Sequence, residues 1–289
     1  MTTRQKIMVT GANGQLGRSL RDLAAQFPEF EFIFLSREDL PIHHFEMLRH
    51  YFRVYQPQWL INCAAYTAVD RAEQEKDMAM QVNGEAVGVM AAVTRENQCR
   101  FIHISTDYVF DGMASSPYKA DHPTSPQNVY GRSKLEGERQ ALLYNPDSII
   151  IRSSWIYSEH GHNFVKTMIR LLKEKNELRV VDDQRGSPTY ARDLAEAILK
   201  IIISGKKTSA PGLFHFSNSG IISWYEFALA IKNIMNSPCV ITPIPGSAYP
   251  TPAKRPAYSA LDNSRIVREY DIELKDWQES LQKCMERMK

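Results

Sequence analysis

The chain lacks the features that mark several large classes of protein. Only four cysteines occur in 289 residues (Cys63, Cys99, Cys239 and Cys284), with no CxxC pair and no clustered histidine partner. Disulfide scaffolds and zinc sites need closely spaced sulfurs, so free thiols packed in the interior are expected instead. Neither sign of charge is in excess: 35 Lys+Arg stand against 33 Asp+Glu, a net charge of +2. That balance argues against a nucleic-acid partner held by bulk charge. No apolar run approaches the roughly 20 residues that span a bilayer. Met1–Arg4 runs straight into a strand-like Lys6–Thr10, without the apolar stretch of a secretory signal. A cytoplasmic protein with no membrane partner is expected.

What is present is an ordinary globular composition, 43% hydrophobic and 24% charged, in which strand and helix signals alternate. Strands are predicted at Ile7–Thr10, Glu31–Leu35, Trp59–Cys63, Arg100–Ser105 and Ser148–Arg152. Helices are predicted over Leu16–Ala25, Phe45–Tyr55, Ala79–Thr94 and Val129–Leu143. The strands are apolar on both faces, as strands of a buried parallel sheet are. The fold class expected is therefore α/β, a doubly wound parallel sheet of the Rossmann type with a smaller C-terminal α/β substrate domain. The division expected is residues 1–152 with 176–212 for a dinucleotide-binding domain and 153–175 with 213–289 for the second. Pro238–Pro256 holds six of the 15 prolines and reads as an extended, loop-rich stretch.

Two places carry chemistry. Gly11-Ala-Asn13-Gly14-Gln15-Leu16-Gly17 follows the first strand and opens the first helix. There, spaced glycines allow a tight turn and a close approach of backbone N–H groups to a pyrophosphate. At the end of the second strand, Ser36 and Arg37 stand where a site selective for NAD would carry an acid. A hydroxyl and a guanidinium suit a 2′-phosphate, which points to NADPH, with NADH as the alternative donor. Farther on, Tyr130 and Lys134 lie four residues apart on one face of a predicted helix. A nearby ammonium favours the phenolate, so Lys134 is expected to lower the phenol of Tyr130 and to bond a nicotinamide ribose. Thr106 and Asp107 end the fourth strand, at the sheet edge where ligands of such folds bind; Thr106 can bond a carbonyl oxygen, or merely cap a turn.

From the glycine loop to the C-terminal segment, the chain resembles the extended short-chain dehydrogenase/reductase superfamily and, within it, the dTDP-4-dehydrorhamnose reductase family. The most discriminating stretches are Asn62–Glu73, Ser105–Gly112, Asp183–Thr189 and Arg255–Asp262. The resemblance implies reduction of the C4 keto group of dTDP-4-dehydro-L-rhamnose. Thr106 and Tyr130 would carry catalysis and Lys134 would position cofactor and phenol. Gly14, Gln15, Leu16, Ala64, Ala65 and Tyr66 would line the dinucleotide, and Asp107 and Trp155 would touch the sugar. Where the family often carries an Asp-Ile pair near the adenine, this chain has Pro41-Ile42, so Ile42 contributes backbone and apolar contact only. Some members dimerise through a magnesium ion held by acids, but the corresponding positions here are Arg18-Ser19 and Arg192. A monomer or a metal-independent dimer is therefore expected, with no metal in the activity.

Other residues keep two readings. Trp155 can pack on a deoxysugar or fill core. Arg185 and Arg255 can fork onto substrate phosphates or pair with surface acids. His160-Gly-His162 reads as a solvated loop, or with Asn163 as a diphosphate contact, rather than as a metal site. The alternatives to the implied activity are action on another nucleotide 4-keto sugar, or a non-catalytic NADP(H)-binding regulatory subunit.

Overall fold

Six parallel strands organise the chain, whose computed structural model describes residues 4–205 and 212–288. They are β1 (Gln5–Thr10), β2 (Phe30–Leu35), β3 (Trp59–Asn62), β4 (Arg100–Thr106), β5 (Ile149–Ser153) and the later strand Gly212–His215. Across the sheet they run Gly212–His215, β5, β4, β3, β1, β2. Strand β5 begins with three isoleucines, all fully buried, because β-branched side chains fill a pleated surface covered on both faces. The order reverses between β1 and β3, and it is outside the carboxyl ends of strands at such a point that ligands bind.

One face is covered by helices Gln15–Ala24, Ala191–Ser204 and Ser264–Tyr270, whose Leu20, Ile198 and Ile266 belong to one buried cluster with Phe214 of the sheet. The other is covered by Phe45–Tyr55, Ala86–Glu96 and Val129–Tyr144, with Phe52, Met90 and Ala141 inward. The expected helix at Ala79–Thr94 is part of a longer rod, Lys76–Met80 and Ala86–Glu96, joined by a π turn at Gln81–Glu85. Among the described residues no helix is long and apolar enough to cross a membrane. All four cysteines are free; three are buried and Cys63 is half-buried.

The second lobe packs helices Phe164–Glu174, Trp224–Met235 and Trp277–Glu286 around Tyr157, Phe227 and Leu281. Its strand pairings depart from the expected division. Gly212–His215, expected from residue 213 onward in the second domain, is an edge strand of the main sheet, paired with β5. Glu177–Val181, expected with the first domain, instead pairs with Val240–Ile244 of the second lobe. The proline-rich stretch thus holds a strand after all. Pro243 lies within it, tolerated because a two-stranded sheet consists only of edge strands.

Candidate functional site

The glycine loop and the carboxyl ends of β1, β3 and β4 lie side by side, at the crevice where ligands of such sheets bind. Gly11 has φ +65°, and a Cβ there would lie 2.5 Å from the backbone nitrogen of Ala64. Only glycine allows the β1 turn and the β3 loop to approach so closely. The helix that follows is capped at Gly14 without any side-chain hydrogen bond and has no acid in its first turn. Its leading N–H groups keep their donor capacity and its dipole favours an anion, which fits a pyrophosphate. Ala64 and Ala65 are half-exposed beside it. Ile42 is buried in the core with Leu35 and Leu40, so its side chain belongs to packing. At the end of β2, the Ser36 N–H donates to Asp39 Oδ2 (2.9 Å) and the Asp39 N–H to Ser36 Oγ (3.3 Å). This closed turn leaves Arg37 exposed, with no ion pair or hydrogen bond among the described residues. A free guanidinium in that position fits a ribose phosphate.

Tyr66 is fixed from two sides. Its hydroxyl donates to Glu75 Oε2 at 2.6 Å. Its backbone is held by Asn83, which accepts from the Tyr66 N–H (2.8 Å) and donates to the Tyr66 carbonyl (3.0 Å). Asn83 lies buried in the π turn.

Thr106, Asp107, Tyr130 and Lys134 come together at the carboxyl end of β4. Helix Val129–Tyr144 starts at Asn128, which caps it by accepting from the Gly131 N–H at 2.7 Å. A Cβ on Gly131 would lie 2.2 Å from the Tyr108 carbonyl oxygen, so glycine lets the helix start press against the turn after β4. The Tyr108 ring meets Tyr130 edge-on at 5.6 Å. Thr106 does cap that turn, accepting from the Tyr108 N–H at 3.2 Å, and it also donates to Asp107 Oδ1 at 3.0 Å. Burial raises the Tyr130 phenol above its ordinary value; its hydrogen bond with Thr106 pulls the other way, and Asp107 and Tyr108 raise it further. Burial also lifts the Asp107 carboxyl to about 7 against hydrogen bonds from Thr106 and Ser259. Asp107 Oδ2 is buried without a hydrogen bond among the described residues, and so keeps an acceptor for a polar ligand.

Lys134 departs from expectation. Its amine does not act on the phenol in this structure. It donates to the Ile104 carbonyl oxygen at 2.6 Å and lies 3.2 Å from His103 Nε2. Burial lowers it to about 8, against the attraction of Glu138. Spacing of four put the two side chains on one face, but the lysine bends back to β4, where an interior amine finds acceptors. Glu138, one turn on, forms a fork with Arg152 of β5: Nε to Oε1 at 2.9 Å and Nη2 to Oε2 at 2.7 Å.

Trp155 lies half-buried just past β5 with φ +49°, a strained region for a non-glycine residue. One of its faces is taken by Trp224, stacked 3.6 Å away. Arg255 reaches the site indirectly: it donates to the Tyr108 hydroxyl (2.9 Å) and to Asp70 Oδ2 (2.7 Å). Arg185 is largely exposed, 3.3 Å from Glu226 Oε2. Asn163 is a structural clamp. It caps helix Phe164–Glu174, and its amide donates to Gln15 Oε1 (2.9 Å) and to the Ser158 carbonyl (2.8 Å). It thus ties the 158–163 loop to the glycine-loop helix. His160 fastens the same loop to Asp22 (2.7 Å), while Glu159 accepts from Tyr190 and Arg287; His162 is exposed. Asn83, His103, Glu138 and Trp224 were not foreseen. Buried Asn83 in an apolar helix, and Glu138 a turn after Lys134, were the available signals.

Comparison with known proteins agrees with this construction. The family described as RmlD substrate binding domain matches residues 5–289. The chain is 42% identical to the spore coat polysaccharide biosynthesis protein SpsK of Bacillus subtilis, over 97% of both chains. It is 41% identical to the dTDP-4-dehydrorhamnose reductase of Aggregatibacter actinomycetemcomitans, over 96% of this chain and 97% of that one. The crystal structure of dTDP-4-dehydrorhamnose reductase from Bacillus anthracis in complex with NADP is similar with a TM-score of 0.93 and 34% identity, covering 99% of this chain and all of that one. Matched along nearly its whole length, the chain belongs to the RmlD substrate-binding-domain family.

Proposed function

We propose that this chain is an NADPH-dependent reductase that converts dTDP-4-dehydro-L-rhamnose to dTDP-L-rhamnose, with Tyr130 as the proton donor. The observation that carries this reading is the meeting of Thr106, Tyr130 and Lys134 beside the glycine loop, at the carboxyl edge of one parallel sheet. The bound dinucleotide supplies the hydride. The uncapped helix at Gly14 holds its diphosphate and Arg37 its 2′-phosphate; without that phosphate NADH is the weaker donor. Lys134, already at the floor of the crevice, offers its remaining N–H groups to the ribose.

The phenol of Tyr130 is held in the protonated form by burial, the state an acid must have before it gives a proton to the C4 oxygen. The Thr106 hydroxyl, turned from Asp107 Oδ1 to the substrate, stabilises charge growing on that oxygen, and fixed positions supply much of the acceleration. Asp107 accepts from a sugar hydroxyl through its unpartnered oxygen, and Trp155, backed by Trp224, presents one face to the deoxysugar. Arg255 and Arg185 reach substrate phosphates only by leaving Asp70 and Glu226, with which they pair here.

No metal is expected in the activity, since Arg18, Ser19 and Arg192 bring no carboxylate to the positions where the family resemblance implies a bridging magnesium ion, and a monomer or metal-independent dimer suffices. Free thiols and a nicotinamide substrate suit the cytoplasm. The test is oxidation of NADPH by purified protein given dTDP-4-dehydro-L-rhamnose, with and without chelator, and the product identified by mass and sugar stereochemistry. Stoichiometric dTDP-L-rhamnose in both arms is expected. No oxidation, or faster oxidation with a different nucleotide 4-keto sugar, would overturn the assignment.

A further inference from the structure

A chain of buried polar groups, unused by the proposed chemistry until it reaches Lys134, runs across the carboxyl ends of β1, β3 and β4. Thr10 of β1 donates to Asn62 Oδ1 of β3 (2.7 Å). The Ala64 N–H donates to the same oxygen (3.1 Å). Asn62 Nδ2 lies 3.0 Å from His103 Nδ1 of β4, and His103 Nε2 lies 3.2 Å from Lys134 Nζ. Asn62 and His103 are each at most 1% exposed.

These contacts decide where the imidazole proton sits. A backbone N–H can only donate, so the Asn62 atom facing Ala64 is the oxygen and the atom facing His103 is the amide nitrogen. Asn62 therefore donates to Nδ1, and a neutral ring must carry its hydrogen on Nε2, aimed at Lys134. A neutral amine accepts that hydrogen while donating to the Ile104 carbonyl. An ammonium has no lone pair. It either faces the His103 N–H or forces the ring into its other tautomer, whose Nδ1–H then faces the Asn62 amide. Each arrangement sets donor against donor in a dry interior, where such a conflict is costly. The other charged group facing the amine is Glu138 on its own helix, which favours the ammonium but is itself neutralised by the fork with Arg152 of β5.

We propose that His103 is a positioning residue for Lys134: locked by Asn62 as the Nε2–H tautomer, it holds the amine against β4 and disfavours its charged form until a ligand draws it into the crevice. The consequence for catalysis rests on the reductase reading, but the tautomer and the lysine's titration do not. Both are measured on protein without cofactor or substrate.

The test is nitrogen NMR of the full chain labelled with ¹⁵N-histidine, between pH 6 and 9. His103 is expected to show a protonated Nε2 and a bare Nδ1 throughout. An Nδ1–H tautomer or an imidazolium would overturn the proposal, and this reading needs no variant. In Asn62→Asp the new carboxylate accepts from Nδ1–H and turns a bare Nε2 to the lysine. The Lys134 midpoint, followed by the ¹³Cε shift that disappears in Lys134→Met, should then rise by about one pH unit or more. An unchanged midpoint in folded Asn62→Asp would equally overturn it. Failure of NADPH oxidation with an intact Nε2–H tautomer would count against the reductase reading alone.

Discussion

Replacing Asp107 by asparagine should stabilise the protein, and more so the higher the pH. The carboxyl is 3% exposed, one of its oxygens is buried without a hydrogen bond among the described residues, and burial raises it from 3.8 to about 7. Between those values the folded state holds a proton that the unfolded chain has released. Stability therefore falls as pH rises through that window, and the penalty is complete above pH 7. At 1.36 kcal/mol per pH unit, the penalty is about 2 kcal/mol at pH 5 and about 4 kcal/mol at pH 8.5. Asparagine keeps the shape and removes the titration. In urea denaturation of the cofactor-free protein, the stability difference between Asp107→Asn and wild type should thus grow by about 2–3 kcal/mol from pH 5 to pH 8.5. Measuring a change across pH cancels any constant difference between the two side chains. Parallel pH profiles would refute the reasoning. The variant should also bind sugar substrate less well, as expected of a site that keeps a costly charge for function.

Three further outcomes are expected. Glu138→Ala strands the Arg152 guanidinium, whose partner is 4% exposed, and should lower stability by about 3–5 kcal/mol in urea melts; a loss under about 1 kcal/mol would show that the pair carries no such burden. Arg37→Ser should reduce kcat/KM with NADPH by roughly 10- to 100-fold, the value of a charge-assisted hydrogen bond, while NADH values stay level; equal losses with both donors would contradict the 2′-phosphate assignment. Gly131→Ala places a Cβ 2.2 Å from the Tyr108 carbonyl, so kcat should fall at least about tenfold as the tyrosine pair shifts, with near wild-type kcat as the contrary result.

What was legible in the sequence was what local context decides. Gly11 to Gly17 between a strand and a helix, the apolar runs of β1 to β5, and Thr106 at a strand end are each read within a dozen residues. The contacts that reverse or complete the site are distant in sequence. Lys134 shares a helical face with Tyr130, yet its amine is claimed by His103 and the Ile104 carbonyl, some 30 residues earlier. Asn163 looked available for a phosphate until Gln15, 148 positions away, took its amide. Trp155 was foreseen, but not that Trp224 occupies one of its faces. The proline within Val240–Ile244 concealed a strand, since pairing with Glu177–Val181 outweighs local preference. The edge strand Gly212–His215 carries no mark of which lobe it joins.

The central claim, that the phenol of Tyr130 protonates the oxygen as hydride arrives, is tested most directly by Tyr130→Phe, which removes one oxygen atom from the site. NADPH affinity, read by fluorescence titration, should change less than about threefold, whereas single-turnover oxidation by dTDP-4-dehydro-L-rhamnose should slow by about 10²- to 10⁴-fold. Oxidation within a few-fold of wild type, with the same alcohol formed, would contradict the account.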